Sequence, residues 1–213
     1  MANIHEISAS QWGLVELEKD NLYSYIPSSR RMEYVEDAIS AGQEMAESFG
    51  NAELEPLFES ANIRIKEIEN TTTYENPEYR LQARLIYRQN CGEVELFMSE
   101  LKKKCTAVNE YISDNKLDIQ EISLRKMREV HLAHEFLHLQ EFEKDRRIGD
   151  DLPPVYVKKL FIKRKESILR TSEIAAQEFA YQFSKIKLRP EAMDAILLQY
   201  EKREDKNHED SGI

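Results

Sequence analysis

The sequence predicts an α+β fold that is mostly helical, with a small antiparallel sheet of about three strands in the middle of the chain. Among 213 residues, 41% are apolar and 33% are charged, while Gly and Pro number only six each. This balance favours a charged helical globule over a strand-rich sandwich. The spacing of apolar residues along the chain also changes, from the interval typical of helices to the every-second-residue interval typical of strands, and back again. The length fits one domain, expected over 32–204 and followed by a flexible tail over 205–213.

The first part of the chain is predicted to hold an arm and two helices. Residues 1–31 show no clean apolar period and are expected to form an N-terminal arm, either packed on the domain or only partly ordered. Apolar residues recur at helical intervals over 32–49, and Gly50 supplies the stop that is common at a helix C-terminus. A second, short helix is predicted over 54–59.

Alternation of apolar and charged residues, the pattern of a half-buried strand, begins at Ile63. The predicted strands cover 63–68, 81–88 and 93–98. The last two are joined by Gln89–Asn90–Cys91–Gly92, in which Asn and Gly suit a hairpin turn. Residues 71–77 are predicted to form a loop. An antiparallel sheet of about three strands is therefore expected before the longest helix.

After Ser99 the apolar period is helical throughout. The predicted helices cover 99–114, 119–144, 156–186 (continuous or broken once) and 190–204. Pro153 and Pro154 interrupt this series, because proline lacks an amide donor and disfavours helix in the residue before it. A basic strip over 158–170 is interpreted as a solvated helix face, with docking of an acidic protein or a nucleic acid as the alternative.

Charge and cysteine content restrict the classes of partner and compartment. A formal charge of -10 argues against non-specific binding to nucleic acid, because affinity for phosphates depends on Lys and Arg. No apolar run is long enough to span a bilayer, and the first thirty residues lack the layout of a secretory signal. Cys91 and Cys105 have no Cys-x-x-Cys spacing and are expected to be reduced thiols. The expected location is the cytoplasm.

The stretch HLAHEFLHLQ over 131–140 carries the strongest chemical signal. His134 and His138 are one helical turn apart, so both imidazoles can reach one cation. Glu135 sits about 100° round the helix from His134. That offset suits a carboxylate that takes a proton from the attacking water, while the metal lowers the pKa of water toward neutrality. The alternative is two core or half-exposed histidines on an amphipathic helix.

A catalytic zinc site needs a third protein ligand, and Glu173 is the preferred candidate. The positions three, seven and ten residues beyond it are small or aromatic, and small residues let two helices approach closely. Glu178 lies about 140° away on the helical wheel and should face solvent or another neighbour. The alternative for Glu173 is a surface carboxylate in the first turn of a helix, favoured by the macrodipole. The other downstream carboxylates are Glu141, Glu143, Asp145 and Glu166.

Glu141 and His131 remain open alternatives on nearly the same helix face as the histidine pair. Either could bind the metal directly or orient a ligand histidine by hydrogen bonding. Tyr156, Tyr181 and His131 are candidates for stabilising a developing oxyanion, since this chemistry needs electrostatic stabilisation besides the metal.

Two motifs resemble those of the ImmA/IrrE-type metallopeptidases: Ala133-His134-Glu135-x-x-His138, and Glu173-x-x-Ala176-Gln177-x-Phe179-Ala180. The order of helix, short sheet and HExxH helix is also similar to that family. The resemblance implies a zincin-like domain in which His134, His138 and Glu173 bind Zn²⁺ and Glu135 is the catalytic base. Leu137 and Gln177 depart from the family pattern, and the resemblance leaves room for a member that binds metal but cleaves slowly or not at all.

The sequence thus supports one main hypothesis with two rivals. The main one is a zinc-dependent endopeptidase that cleaves a regulatory protein, repressor-like or antitoxin-like, as the resemblance implies. The first rival is a catalytically weak or inactive zincin-fold protein that acts as a partner-binding module. The second is a helical interaction protein without a metal site.

Overall fold

A computed structural model describes residues 3–50, 52–69, 81–88, 91–159 and 162–210. The helices are α1 (Ala9–Leu17), α2 (Arg31–Phe49), α3 (Leu54–Ser60), α4 (Met98–Asp114), α5 (Leu124–Lys144), α6 (Ile148–Asp151), α7 (Arg170–Ser184) and α8 (Pro190–Asp210). The strands are β1 (Ile63–Ile68), β2 (Ala83–Arg88), β3 (Cys91–Phe97), β4 (Val155–Lys159) and β5 (Ile162–Glu166). The prediction of a mostly helical α+β fold is confirmed. The predicted loop over 71–77 lies outside the described residues.

The central sheet has the order β1-β3-β2 and is mixed, so the prediction of an antiparallel sheet is wrong for one pair. The hairpin prediction is confirmed, because β2 and β3 pair antiparallel with Arg88 opposite Cys91, although Gln89 and Asn90 lie outside the described residues. β1, however, pairs parallel with β3, with Ile65 opposite Val94. Alternation along a strand predicts which face is buried, but it does not select the neighbouring strand.

The second sheet is a two-stranded antiparallel ribbon, β4–β5, and it corrects the prediction of a helix from residue 156. Pro153 and Pro154 prevent a helix from continuing into this segment, and the β-branched residues Val155 and Val157 suit a strand. Val155 is buried and Val157 packs on the same cluster, whereas Lys158 on the opposite face is exposed. The basic strip therefore lies on a ribbon and not on a helix face.

The main core surrounds α5, which packs against α7, α4 and the sheet. Met127, Leu137 and Phe136 of α5 are almost fully buried, and the ring of Phe136 lies 6.1 Å from that of Phe179 of α7, measured between centroids. Each such side chain stabilises the fold by about 1.5–3 kcal/mol through burial of apolar surface. α7 lies between α5 and α2, and a Cβ at Gly42 of α2 would meet the carbonyl oxygen of Ala175 at only 2.5 Å. The absence of a side chain at Gly42 thus permits the close approach of α2 to α7.

A smaller cluster joins the N-terminal segment to the domain. Leu17 and Ile26 are almost completely buried beside Val35 of α2 and Ile174 of α7. The segment predicted as an arm therefore packs on the domain. At the other end, α8 continues to Asp210, past the predicted helix end at residue 204. None of the helices described is long and apolar enough to cross a membrane.

Candidate metal centre

Helix α5 carries both histidines of the motif well inside its length. Ser123 caps its N-terminus by accepting a hydrogen bond from the Lys126 amide, and Asp145 ends it in the left-handed conformation. Between these ends the helix is uninterrupted, so His134 and His138 project from one side with ring centroids 4.9 Å apart. Both histidine side chains are 17% exposed. The predicted i, i+4 pair therefore faces a cleft.

The acid from α7 reaches the same point. Nε2 of His134 and Nε2 of His138 lie 3.2 Å apart. Oε2 of Glu173 lies 3.4 Å from Nε2 of His134, and Oε1 lies 3.7 Å from Nε2 of His138. Zinc–ligand bonds of 2.0–2.1 Å in tetrahedral geometry separate ligand atoms by about 3.3–3.4 Å. The spacing and the two-nitrogen, one-carboxylate donor set therefore fit a zinc ion.

Glu141 contacts the ring nitrogen of His138 that points away from Glu173. Its Oε2 lies 3.1 Å from Nδ1 of His138, which leaves Nε2 of that ring facing Glu173. Its Oε1 accepts hydrogen bonds from the Ser172 hydroxyl at 2.6 Å and the Ile148 amide at 2.8 Å. Of the two open alternatives for Glu141, the geometry matches the orienting partner, an arrangement common behind metal-binding histidines.

The electrostatics of the group favour positive charge at its centre. Burial lowers the pKa of His138, but hydrogen bonds to Glu141 and Glu173 outweigh burial and raise it to about 10. For the Glu173 carboxyl, burial raises the pKa. Its hydrogen bonds and charge interactions with His134 and His138 outweigh burial and hold the pKa well below its ordinary value. Two carboxylates thus converge on the imidazoles, which is the charge arrangement that a divalent cation requires.

The group stands where two recesses of one cleft meet. Glu135, His138, Glu173 and Leu85 line both recesses. The larger recess has a volume of about 570 Å³ and is bordered by the exposed apolar side chains of Phe142 and Leu169, among others. The other recess is lined by His131, His134, Lys104, Asp194, Gln177 and residues 81–85. Glu135 therefore adjoins the ligand set and the open cleft on both sides.

No protein-family model, curated protein or solved structure matches the chain. The resemblance to the ImmA/IrrE-type metallopeptidases therefore stays a prediction from the two sequence motifs and the order of the elements. Leu137, which departs from the family pattern, is fully buried in the core and does not border the cleft. Gln177, the other departure, lines the recess beside Glu173.

Two tyrosines considered as oxyanion donors are placed away from the ligand group. Tyr156 on β4 is 49% exposed, and Nζ of Lys163 lies 4.2 Å from its ring centroid. The guanidinium of Arg189 lies 4.6 Å from the ring of Tyr181. Neither tyrosine is among the described residues that line the two recesses.

The remaining carboxylates have other roles. Glu178 is 1% exposed and accepts hydrogen bonds from Arg189, Gln182 and Gln43, so it faces neighbours on the far side of α7. Glu143 is exposed and pairs with Gln140. Glu166 on β5 lies opposite Val155.

Sequence reasoning missed Lys104 and Asp194, which line the recess beside His131. A signal for Lys104 exists, since it occupies an apolar stripe of α4 between Leu101 and Val108. Asp194 has no comparable signal, because it reaches the cleft only through the packing of α8 on α4.

Proposed function

We propose that the chain is a zinc-dependent endopeptidase of the ImmA/IrrE type that acts in the cytoplasm on a regulatory protein, repressor-like or antitoxin-like. The observation that carries this proposal is the convergence of His134, His138 and Glu173, with ligand atoms 3.2–3.7 Å apart, beside Glu135 in an open cleft. The nature of the substrate follows the family resemblance.

Glu135 supplies the proton transfer in this proposal. When bound, zinc supplies a Lewis acid that lowers the pKa of water and polarises a carbonyl oxygen. The Glu135 carboxylate accepts a proton from the water whose oxygen adds to the scissile carbonyl carbon. It then delivers that proton to the leaving nitrogen. Glu141 keeps Nε2 of His138 directed at the site throughout, because it holds the opposite ring nitrogen.

The cleft suits an extended peptide chain. Recesses open on both sides of the ligand group, so a chain can continue past the scissile bond in both directions. Among the described residues, β2 pairs only with β3, and residues 81–85 at its start line one recess. An exposed strand edge can pair with an extended segment of another chain. These features favour cleavage within a chain over removal of single terminal residues.

The test combines metal analysis with Glu135→Gln. We expect about one zinc ion per chain in both proteins, because Glu135 is not among the three ligands. Cleavage of a degenerate decapeptide library, read by mass spectrometry, should fall by about 10²–10⁴-fold in the variant, the usual contribution of a general base. Glu143→Gln, an exposed carboxylate on the same helix, should leave both unchanged. Full activity of Glu135→Gln would refute the mechanism.

The second candidate is a module that binds a partner without cleaving it, and the β4–β5 ribbon favours it. Lys158 lies directly opposite Lys163, and Lys165 lies opposite Tyr156. Like charges in cross-strand pairs repel each other. Among the described residues neither Lys158 nor Lys163 forms an ion pair with an acid, so an anionic partner would relieve the repulsion between them. A zinc-loaded protein that cleaves nothing in the library would favour this function.

A further inference from the structure

Lys104 is a buried cation in a row of apolar side chains on α4. Its side chain is 1% exposed, and its neighbours along the stripe, Leu101 and Val108, are completely buried. A buried ammonium is costly unless it is paired. Nζ of Lys104 lies 2.5 Å from Oδ1 of Asp194 on α8, so the pair allows Lys104 to keep its charge.

The second partner of Lys104 fixes the tautomer of a histidine. Nζ lies 3.3 Å from Nε2 of His131 on α5. An ammonium can only donate hydrogen bonds, so Nε2 must accept and carries no proton. Burial, with the nearby Lys104 and His134, lowers the pKa of His131 well below its ordinary value, which keeps the ring neutral. A neutral imidazole without a proton on Nε2 carries its one proton on Nδ1.

The ring of His131 lies in the cleft, one helical turn before His134. His131 lines the same recess as His134, Glu135 and Glu173. Residues three apart on a helix have Cβ atoms about 5–6 Å apart, so a carbonyl group bound beside His134 is within reach of His131. In the part of the chain that the structure describes, Nδ1 of His131 forms no hydrogen bond. Its N–H is therefore available to a ligand.

We propose that Nδ1–H of His131 donates a hydrogen bond to the carbonyl oxygen of the scissile peptide bond as negative charge develops there. Lys104 and Asp194 are positioning residues that hold the required tautomer. This role rests on the peptidase function proposed above. Preorganised donors of this kind stabilise the transition state because they need no reorientation during the reaction.

The hydrogen bond acts without transfer of the Nδ1 proton. As the water oxygen bonds to the carbonyl carbon, one water proton passes to Glu135 and the π electrons of the carbonyl move onto its oxygen. The C–N bond then breaks with its electron pair on nitrogen, the C=O bond re-forms, and Glu135 protonates the nitrogen. The remaining hydroxyl proton is lost when the product acid ionises. His131 ends the cycle in its original tautomer.

Lys104 could instead have a purely structural role and simply link α4, α5 and α8. The two roles predict different effects of removing the Lys104 side chain. Loss of such a link lowers stability and affects every ligand equally. Loss of a tautomer-fixing contact changes the ring protonation of His131 and weakens the binding of tetrahedral anions more than that of planar ligands. The two roles are separable by measurements that do not depend on turnover.

The first test is NMR of the ¹⁵N-labelled imidazoles in the zinc-free protein, which needs no catalytic activity. We expect His131 to show a protonated Nδ1 and an unprotonated Nε2. Lys104→Met should shift the ring toward the Nε2–H tautomer, whereas Lys102→Met, which removes an exposed lysine of the same helix, should not. A wild-type ring with its proton on Nε2 would overturn the proposal. Unchanged circular dichroism and melting of each variant establish that it has folded.

The second test compares two ligands of the zinc-loaded protein by calorimetry: an N-phosphoryl dipeptide, which mimics the tetrahedral anion, and the dipeptide hydroxamate, which is planar. His131→Phe should weaken the phosphoryl ligand by about 10–100-fold relative to the hydroxamate, while zinc content stays the same. His131→Gln should restore part of the difference, because it keeps an N–H donor. Equal weakening of both ligands would overturn the proposal.

Measurements of kcat and KM distinguish the role proposed for His131 from the peptidase function itself. If the wild-type protein cleaves peptides, His131→Phe should lower kcat by about 10²–10³-fold with little change in KM, as for loss of one oxyanion donor. An unchanged kcat would refute the role of His131 but leave Glu135 and the peptidase function standing. If the wild-type protein binds zinc yet cleaves nothing, the peptidase function fails, and the NMR result stands on its own.

Discussion

At the scale of single residues, one carboxylate organises the candidate site. Glu141 holds Nδ1 of His138 with one oxygen and binds Ser172 and Ile148 with the other. It is 8% exposed, so these hydrogen bonds are sheltered from water. Glu141 thereby fixes the orientation of the His138 ring, a candidate metal ligand, and joins α5 to α6 and α7.

Glu141→Gln should weaken zinc binding without preventing folding. The amide keeps the size of the side chain but loses the charge that supports His138, and loss of such partners typically costs 10–100-fold in metal affinity. Competition with a chromophoric chelator measures the change. Glu143→Gln on the same helix serves as the control, and equal zinc affinity in both variants would contradict the role of Glu141.

Residue-scale reasoning from the sequence predicted His134 and His138 from helical spacing, and it predicted Glu173 from the small residues on its helix stripe and from the family resemblance. It left Glu141 and His131 open, since helical spacing gives the face of a side chain but not the atoms that the side chain meets in the folded protein. It missed Lys104 because burial of a cation is decided by Asp194, on another helix.

At the scale of elements, local signals predicted helices α2 to α5 and α8, but they missed α1 and α6 and gave only the β2–β3 pairing of the strands. α2 ends at Gly50 as predicted, because glycine readily adopts its positive φ of 56°. α5 begins at Leu124 and not at residue 119, because Ser123 caps it. The parallel pairing of β1 with β3 and the β4–β5 ribbon depend on tertiary contacts, which periodicity does not record. The ribbon's mixture of lysines and apolar residues is also compatible with a helix.

Helix α7 owes its position partly to a buried ion pair on the side away from the site. Glu178 is bound by Arg189, Gln182 and Gln43. Burial raises the pKa of the Glu178 carboxyl, but these three hydrogen-bond donors outweigh burial and hold it below the ordinary value. The pair therefore contributes stability above the unfolded-state pKa of about 4.5, and that contribution is lost as pH falls through the lower folded-state pKa.

Arg189→Met should destabilise the protein by about 3–5 kcal/mol at neutral pH, because it leaves a buried carboxylate without its cation. Urea denaturation measures the loss. Without Arg189 the buried Glu178 carboxyl should take up a proton at a higher pH than it does in wild type, so the difference from wild type should shrink as the pH falls toward the lowered pKa of the paired carboxyl. Lys102→Met, which breaks an exposed pair with Glu69, should change stability by less than about 1 kcal/mol. A loss of stability below about 1 kcal/mol in Arg189→Met would contradict the importance of the buried Glu178–Arg189 ion pair.

At the scale of the whole molecule, the candidate site joins two helices that lie far apart in the chain. α5 supplies two candidate ligand atoms and α7 supplies the third. The N-terminal segment packs on α2 and α7 through the smaller hydrophobic cluster around Leu17 and Ile26. An ion held by both helices binds the folded state in preference to the unfolded chain. Metal binding and global stability are therefore linked.

Zinc should raise the melting temperature in a concentration-dependent way. At a free zinc concentration about 1,000 times Kd the expected stabilisation is about 4 kcal/mol, provided the unfolded chain binds zinc weakly. Differential scanning calorimetry with zinc and with chelator measures the shift. Glu173→Gln should remove most of it, because only the histidine pair of α5 remains. Equal shifts in wild type and variant would show that the ion binds elsewhere.

The hydrogen bond between Ser172 and Glu141 has a kinetic consequence. It fastens α7 to α5 one residue away from Glu173 and needs no ion to form, so we expect it to keep the three candidate ligand atoms close together. Uptake should then require no rearrangement of the backbone, and its speed should depend on how quickly the hydrated ion sheds its own water. Cobalt and nickel, which exchange water at different speeds, should accordingly load at different rates into an otherwise identical protein.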